Sequence, residues 1–257
     1  MFWMRRPFGM FVFAVALLRV DAFSQEKKIT YGAETDFNSK FVWREMVLDE
    51  RPVSENSIWL EVYGVNLELW DNVTLTYDVE RSRLRSSGLD LSYELDWKKF
   101  KLEPEIEVYR WQDDPGFTNT MECSIRLEYQ SRFVHIFSEH AVDVMANRGG
   151  YYGEGGLRFE KEVARKTQGA LEVASGFASS KFNDFNIDVA KPALNFIRAE
   201  IAVTHNLSPH LYIRPHFDFI HVPDRRIREE LGVRNIGTFG IAVGFDFCGR
   251  SICRNSP

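Results

Sequence analysis

The sequence predicts an all-β protein, an antiparallel up-and-down transmembrane β-barrel of about 12 strands following a cleaved signal peptide. Three observations carry that reading. Period-two alternation of apolar and polar residues recurs along almost the whole chain after residue 22. The connections between those runs alternate between short and long. The first 22 residues have the layout of an export segment.

The chain has 257 residues, of which 44% are hydrophobic, and carries a formal net charge of -5. Its mean hydropathy of -0.28 is too polar for a bundle of membrane helices, and the negative charge argues against a nucleic-acid partner. In the export segment, Arg5 and Arg6 form the positive region, Pro7 to Leu18 is almost wholly apolar, and Val20-Asp21-Ala22 fits a small-residue cleavage site. The apolar run is shorter than the roughly 20 residues a spanning helix needs, so cleavage is preferred over a retained anchor. Residues 1–22 are therefore read as signal peptide, 23–249 as the barrel and 250–257 as a polar tail. Three cysteines exclude a disulfide scaffold, although Cys248 and Cys253 could close a small ring in an oxidising compartment. No Cys-x-x-Cys or clustered histidine spacing points to a metal, and nothing in the chain implies a cofactor.

In chain order, Lys28 to Val47 reads as one long strand with Ala33, Thr35, Phe37, Ser39, Phe41 and Trp43 on one face, and Arg44 on the other. Asp49 to Asn56, with Pro52, breaks it. Ser57 to Tyr63 and Val65 to Trp70 form a pair hinged at Gly64, and Asp71 to Ser87 is a polar loop. Gly88 to Trp111 is a hairpin turning at Lys98-Lys99, which sets Asp96 opposite Lys101, Glu94 opposite Glu103 and Asp90 opposite Glu107. Opposed like charges destabilise a sheet, so this acidic row calls for basic partners, cations or water. Gln112 to Gly116 is a turn. Strands follow over Phe117 to Tyr129, Phe133 to Met145, Tyr151 to Val163, Gly169 to Ser179, Ala193 to Thr204, His210 to His221 and Gly237 to Phe247. Lys181 to Pro192 reads as a polar loop and Pro223 to Arg234 as a charged one that could hold a short helix; no other helix is expected.

Alternation alone does not separate a membrane barrel from a soluble sandwich or lipocalin-like binding module, which would bury the apolar face inside. Short turns on one side and long loops on the other favour the membrane barrel. So do aromatics towards strand ends, at Trp43, Trp97, Phe100, Tyr129 and Phe133, within a total of twenty-one Phe, nine Tyr and six Trp. The polar face then lines a lumen whose charges would be Arg44, Glu94, Glu103, Glu105, Glu107, Glu122, Arg126, Arg158, Arg198, Glu200 and Arg214. Pro104 and Pro215, inside strands of a barrel with no edge, stand against this reading.

The stretch Asp36 to Arg44 (DFNSKFVWR), the loop around Pro52 and the hairpin SIWLEVYGVNLELW together resemble the opening of a family of uncharacterised bacterial outer-membrane β-barrels. Ser39, Phe41, Val42, Trp43 and Arg44 match that pattern in type, while Glu45 stands where the family often has glycine. The resemblance implies an exported barrel and transfers no activity.

The functional expectation is an outer-membrane barrel in contact with lipid, a narrow channel or binding barrel for small solutes or ions with an acid-rich lumen. An outer-membrane lipid hydrolase is the alternative, because His135, Ser138, Glu139 and His140 lie close in sequence. His135 and Ser138 fall on opposite faces of a strand and no Gly-x-Ser-x-Gly elbow exists, so no catalytic residue is assigned. His210, His216 and Asp218 share a face and could bind a metal or simply hydrogen-bond.

Overall fold

The structure, a computed structural model, describes residues 29–76, 83–112 and 118–248. The export segment, part of the turn after Gln112, Cys253 and the polar tail lie outside them, and with Cys253 the proposed ring to Cys248. The strands are β1 (Ile29–Asn38), β2 (Phe41–Trp43), β3 (Met46–Asp49), β4 (Val53–Val62), β5 (Val65–Thr74), β6 (Leu84–Tyr93), β7 (Leu95–Trp97) and β8 (Phe100–Trp111). They continue as β9 (Thr120–Gln130), β10 (Val134–Asp143), β11 (Tyr151–Ala164), β12 (Thr167–Ala178), β13 (Ala193–Asn206), β14 (Leu211–His221) and β15 (Asn235–Cys248). Two helices, α1 (Ser180–Ile187) and α2 (Arg225–Leu231), sit between strands.

All strands except β2 and β3 form one antiparallel sheet. β1 pairs with β15, and β6 pairs with β8 as β7 does, so the sheet closes on itself. β6 and β7 run in one register against β8, with Asp90 opposite Glu107 and Asp96 opposite Lys101, and so act as one strand of a twelve-stranded barrel. Closure leaves no unpaired edge. Tight turns at Tyr63-Gly64, Lys98-Lys99 and Arg165-Lys166 lie at one end, and Tyr63 and Gly64 both have positive φ (55° and 82°), which suits a two-residue hairpin turn. The long connections all lie at the other end.

The alternation resolves into an outward apolar face and an inward polar one. Ile58, Leu60, Leu67, Leu91, Ile106, Ile201, Phe217, Phe239 and Ile241 are exposed on the outside, where an apolar belt of this kind faces hydrocarbon. At the tight-turn end Trp97, Phe100, Tyr129 and Phe133 form an aromatic rim, with ring centroids 6.0 Å apart for Trp97 and Phe100 and 5.2 Å for Phe100 and Tyr129.

Both prolines face gaps in the hydrogen-bond ladder. Pro104 lies opposite the junction between β6 and β7, where pairing stops after Ser92–Glu105 and resumes at Leu95–Leu102. On the other side of the β6–β7 strand the Glu94 amide donates to the Gly64 carbonyl at 2.8 Å, continuing the β5–β6 register. Pro215 lies opposite the gap between Ala202–His216 and His205–Ile213 in the β13–β14 pairing. A missing N–H therefore does no harm at either position.

The long-loop end departs most from the sequence reading. Lys28 to Val47 is not one strand: β1 stops at Asn38, and β2 and β3 form a separate hairpin turning at Arg44-Glu45, with Arg44 at φ 59°. Trp43 consequently packs inside, not in the aromatic rim. The polar loop from Asp71 shrinks because β5 runs to Thr74 and β6 begins at Leu84. The loop at Lys181 is helix α1, capped by the Ser179 hydroxyl, which accepts from the Phe182 amide. Helix α2 is capped by Asp224, whose carboxylate accepts from the amides of Arg226 and Ile227, and it ends at Gly232 with φ 67°. Phe182, Ile187 and Ile227 drive these short helices onto the hairpin, packing with Trp43, Met46, Val189 and Val222.

Candidate functional site: a plugged, charged lumen

The β2–β3 hairpin crosses the barrel interior. Its residues reach strands on opposite sides: Asp49 meets Thr74 of β5 and Arg85 of β6, Trp43 meets Tyr109 and Trp111 of β8, and Glu45 meets Tyr152 of β11 and Asn195 of β13. At the hairpin tip, the Arg44 guanidinium donates to Glu122 at 2.6 Å and lies over the rings of Tyr152, Trp43 and Phe182, 3.9, 4.4 and 4.8 Å from their centroids. The adjacent Glu122 carboxylate holds that guanidinium charged despite its burial. Glu45 is wholly buried, and burial pushes its carboxyl above the ordinary range although Asn195 and Tyr152 donate to it. Burial also acts to raise Asp49, but donation by Arg51 and Thr74 holds it down to about 2.

Beneath the plug the lumen charges divide by sector. On β11 to β14 and β1 most are paired, Glu200 being the exception among the described residues. Arg198 donates to Glu154 and Glu172, both at 2.8 Å, and Arg214 lies 2.6 Å from Glu34, which also accepts from the Tyr212 hydroxyl. His216 sits between Asp36 and Asp218, at 3.0 and 3.1 Å. On β9 and β10, Arg126 meets Glu139 at 3.1 Å and His135 meets Glu128 at 2.9 Å. On β5 to β8 the pairing thins. Lys101 bridges Glu94 and Glu103 near the tight-turn end, at 2.6 and 3.4 Å. Above it, among the described residues, no cation pairs with Glu68, Asp90, Glu105 or Glu107. Glu105 accepts from Ser124, Glu107 from the Tyr109 hydroxyl, and one buried oxygen of Asp90 has no partner.

Chambers open beside the plug. One, of about 290 Å³, is furnished with Lys40, Arg44, Arg198, Arg214 and His216 facing Asp36, Glu55, Glu200 and Asp218. Another, of about 310 Å³, has aromatic walls and carboxylates. A third space of about 270 Å³ near the tight turns is lined by Glu61, Glu68, Glu94 and Glu103. Arg158 pairs with Glu160 at 2.8 Å and is half-exposed. The sequence reading located Arg44 by strand parity, whereas the hairpin turn puts it in the lumen; Trp43, which that reading put in the aromatic rim, and Trp70, Tyr109, Trp111 and Tyr152, to which it gave no lumen role, line the lumen with it.

The hydrolase constellation is split by the sheet. Glu139 and His135 face inward to their ion pairs, whereas Ser138 and His140 face outward with Oγ and Nε2 2.9 Å apart. The other imidazole nitrogen meets the Tyr151 hydroxyl at 2.8 Å, so no carboxylate completes the chain. His210 is also separated from His216: it lies at the β13–β14 turn against the Asp246 carbonyl. Among the described residues no cluster could hold a metal ion.

No protein-family model and no curated protein sequence matches the chain. Solved structures do. The KdgM porin superposes with a TM-score of 0.52 at 9% identity over 85% of this chain and 99% of that one. The fold is that of the outer-membrane porins. The NanC porin superposes with a TM-score of 0.53 at 9% identity, covering 84% and 98% of the two chains. The KdgM porin is also known in complex with disordered oligogalacturonate, with a TM-score of 0.52 at 9% identity. A closed twelve-stranded barrel of this fold with an apolar outer belt belongs in an outer membrane.

Proposed function

We propose that this outer-membrane barrel is a narrow channel in which the β2–β3 plug restricts passage to small solutes and the β5–β8 wall favours cations. The observation that carries the proposal is the set of lumen carboxylates on that wall, Glu68, Asp90, Glu105 and Glu107, which have no basic partner among the described residues. Opposed carboxylates repel one another, and a passing cation relieves that repulsion. Oligogalacturonate, bound by the KdgM porin, is a polyanion. This lumen has the wrong sign for such a cargo, so a shared barrel here serves a different solute. The outer belt, in contact with lipid, holds the channel in place.

Planar-bilayer recordings of the purified protein across a KCl gradient test the proposal. The expected reversal potential is that of a cation-preferring pore, and the triple change Asp90→Asn, Glu105→Gln and Glu107→Gln moves it towards zero. An absence of conductance, or selectivity unchanged in the triple variant, overturns it.

A further inference from the structure

The aromatic chamber is one-sided in a way that a path for simple ions does not require. Its walls include Trp43, Trp70, Tyr109 and Trp111, with Glu68 and Glu107 among its carboxylates, and among the described residues no lysine, arginine or histidine lines it. The rings surround the space from more than one direction. Trp43 stands edge-on to Tyr109 and to Trp111, with centroids 5.8 and 5.3 Å apart, and Trp70 stands edge-on to Tyr109 at 5.8 Å. Tyr109 and Trp111 are parallel, 6.0 Å apart with 2° between their planes. Ring faces carry negative quadrupoles, so rings around a cavity attract cations with apolar bodies, and carboxylates add the net charge.

The protein already uses this chemistry at the hairpin tip, where Arg44 lies over Tyr152, Phe182 and Trp43, the last also a wall of the aromatic chamber, and pairs with Glu122. In the aromatic chamber rings and carboxylates are present together, and none of its described lining residues is a lysine, arginine or histidine. A bare metal ion is a poor complement, because no group among the described residues has ligand geometry for one. The volume, about 310 Å³, is at the small end of ligand pockets.

We propose that this chamber is a binding site for a small organic cation, an amine or quaternary ammonium on a compact apolar body. The inference rests on the channel reading only in that solutes reach the lumen.

Binding in detergent, without any membrane, separates the two claims. Choline is the probe, and 3,3-dimethylbutan-1-ol, its uncharged isostere, is the control, with tryptophan fluorescence and calorimetry as readouts. Choline is expected to bind and perturb the fluorescence, with the isostere at least tenfold weaker. The isosteric changes Glu68→Gln and Glu107→Gln together are expected to weaken choline at least tenfold, as is Trp111→Leu with the barrel verified by heat-modifiable gel mobility. Equal binding of choline and isostere, no choline binding, or unchanged affinity in the double glutamine variant overturns the site. A cation-selective conductance surviving that result leaves the channel proposal standing. Choline binding without conductance overturns the channel proposal alone.

Discussion

At the scale of single residues, the plug depends on two buried ionisable neighbours, Arg44 and Glu45. Arg44 is paired with Glu122 through one nitrogen and lies over ring faces, and removing one partner of a buried pair costs about 3–5 kcal/mol because the other charge is left alone. Arg44→Ala should therefore unseat the hairpin without unfolding the barrel. Hydrogen exchange at residues 41–49 is expected to accelerate upward of about a hundredfold, at roughly 1.4 kcal/mol per decade, while the strands stay protected. Equal acceleration in the strands would show that the plug is not a separate unit. Glu45 adds a pH dependence. Burial raises its folded pKa above the unfolded value of about 4.3, so the native state favours the protonated form. Its contribution to plug stability is fully present below the ordinary carboxylate range and is lost as pH climbs through the raised value. Plug exchange should thus quicken as pH rises, after correction for intrinsic exchange, and Glu45→Gln should flatten that dependence. A slope surviving in the glutamine variant sinks this assignment.

At the scale of elements, the strands were legible and the plug was not. The inside–outside parity of Gly88 to Trp111 follows from alternation alone, and its register against β8 follows from a two-residue turn at Lys98-Lys99. The β2–β3 hairpin is hidden because alternation continues unbroken from Glu34 through Arg44, with no glycine, proline or asparagine at Arg44-Glu45 to announce a turn. The turn is fixed by distant partners, Glu122, Tyr152, Phe182 and Asn195, which local pattern cannot reveal. Helix α1 is masked likewise: eight residues are too few to display a period, and its burial of Phe182 depends on the hairpin beneath it. Pro104 and Pro215 looked like objections only because ladder gaps are set by neighbouring strands. Since the hairpin contributes no rung to the barrel sheet, replacing residues 40–50 with a short glycine-rich link should leave heat-modifiable mobility intact and raise single-channel conductance. Unchanged conductance would place the constriction elsewhere.

At the scale of the whole molecule, the lumen charges form a gradient around the wall instead of a ring at one level. Arg198, Arg214 and His216 lie on the β13–β14 side in ion pairs that reach β1, β11 and β12, and the run of carboxylates without an ion pair among the described residues, Glu68, Asp90, Glu105 and Glu107, lies across from them on β5 to β8. A ring at a tight filter strips the ion of water and selects at any salt concentration, whereas a charged wall acts through its potential in the solvent. That potential decays over about 10 Å at 0.1 M ionic strength and about 3 Å at 1 M. Cation preference should consequently be strong in dilute salt and largely lost by about 1 M, with the same fold gradient across the bilayer in both measurements. The hairpin-deleted barrel should show a weaker preference than the intact one at low salt, because a wider path lets ions travel farther from the β5–β8 carboxylates. Selectivity that persists unchanged at high salt would assign it to direct coordination at the plug, and Glu122 beside Arg44 would then be the first residue to test.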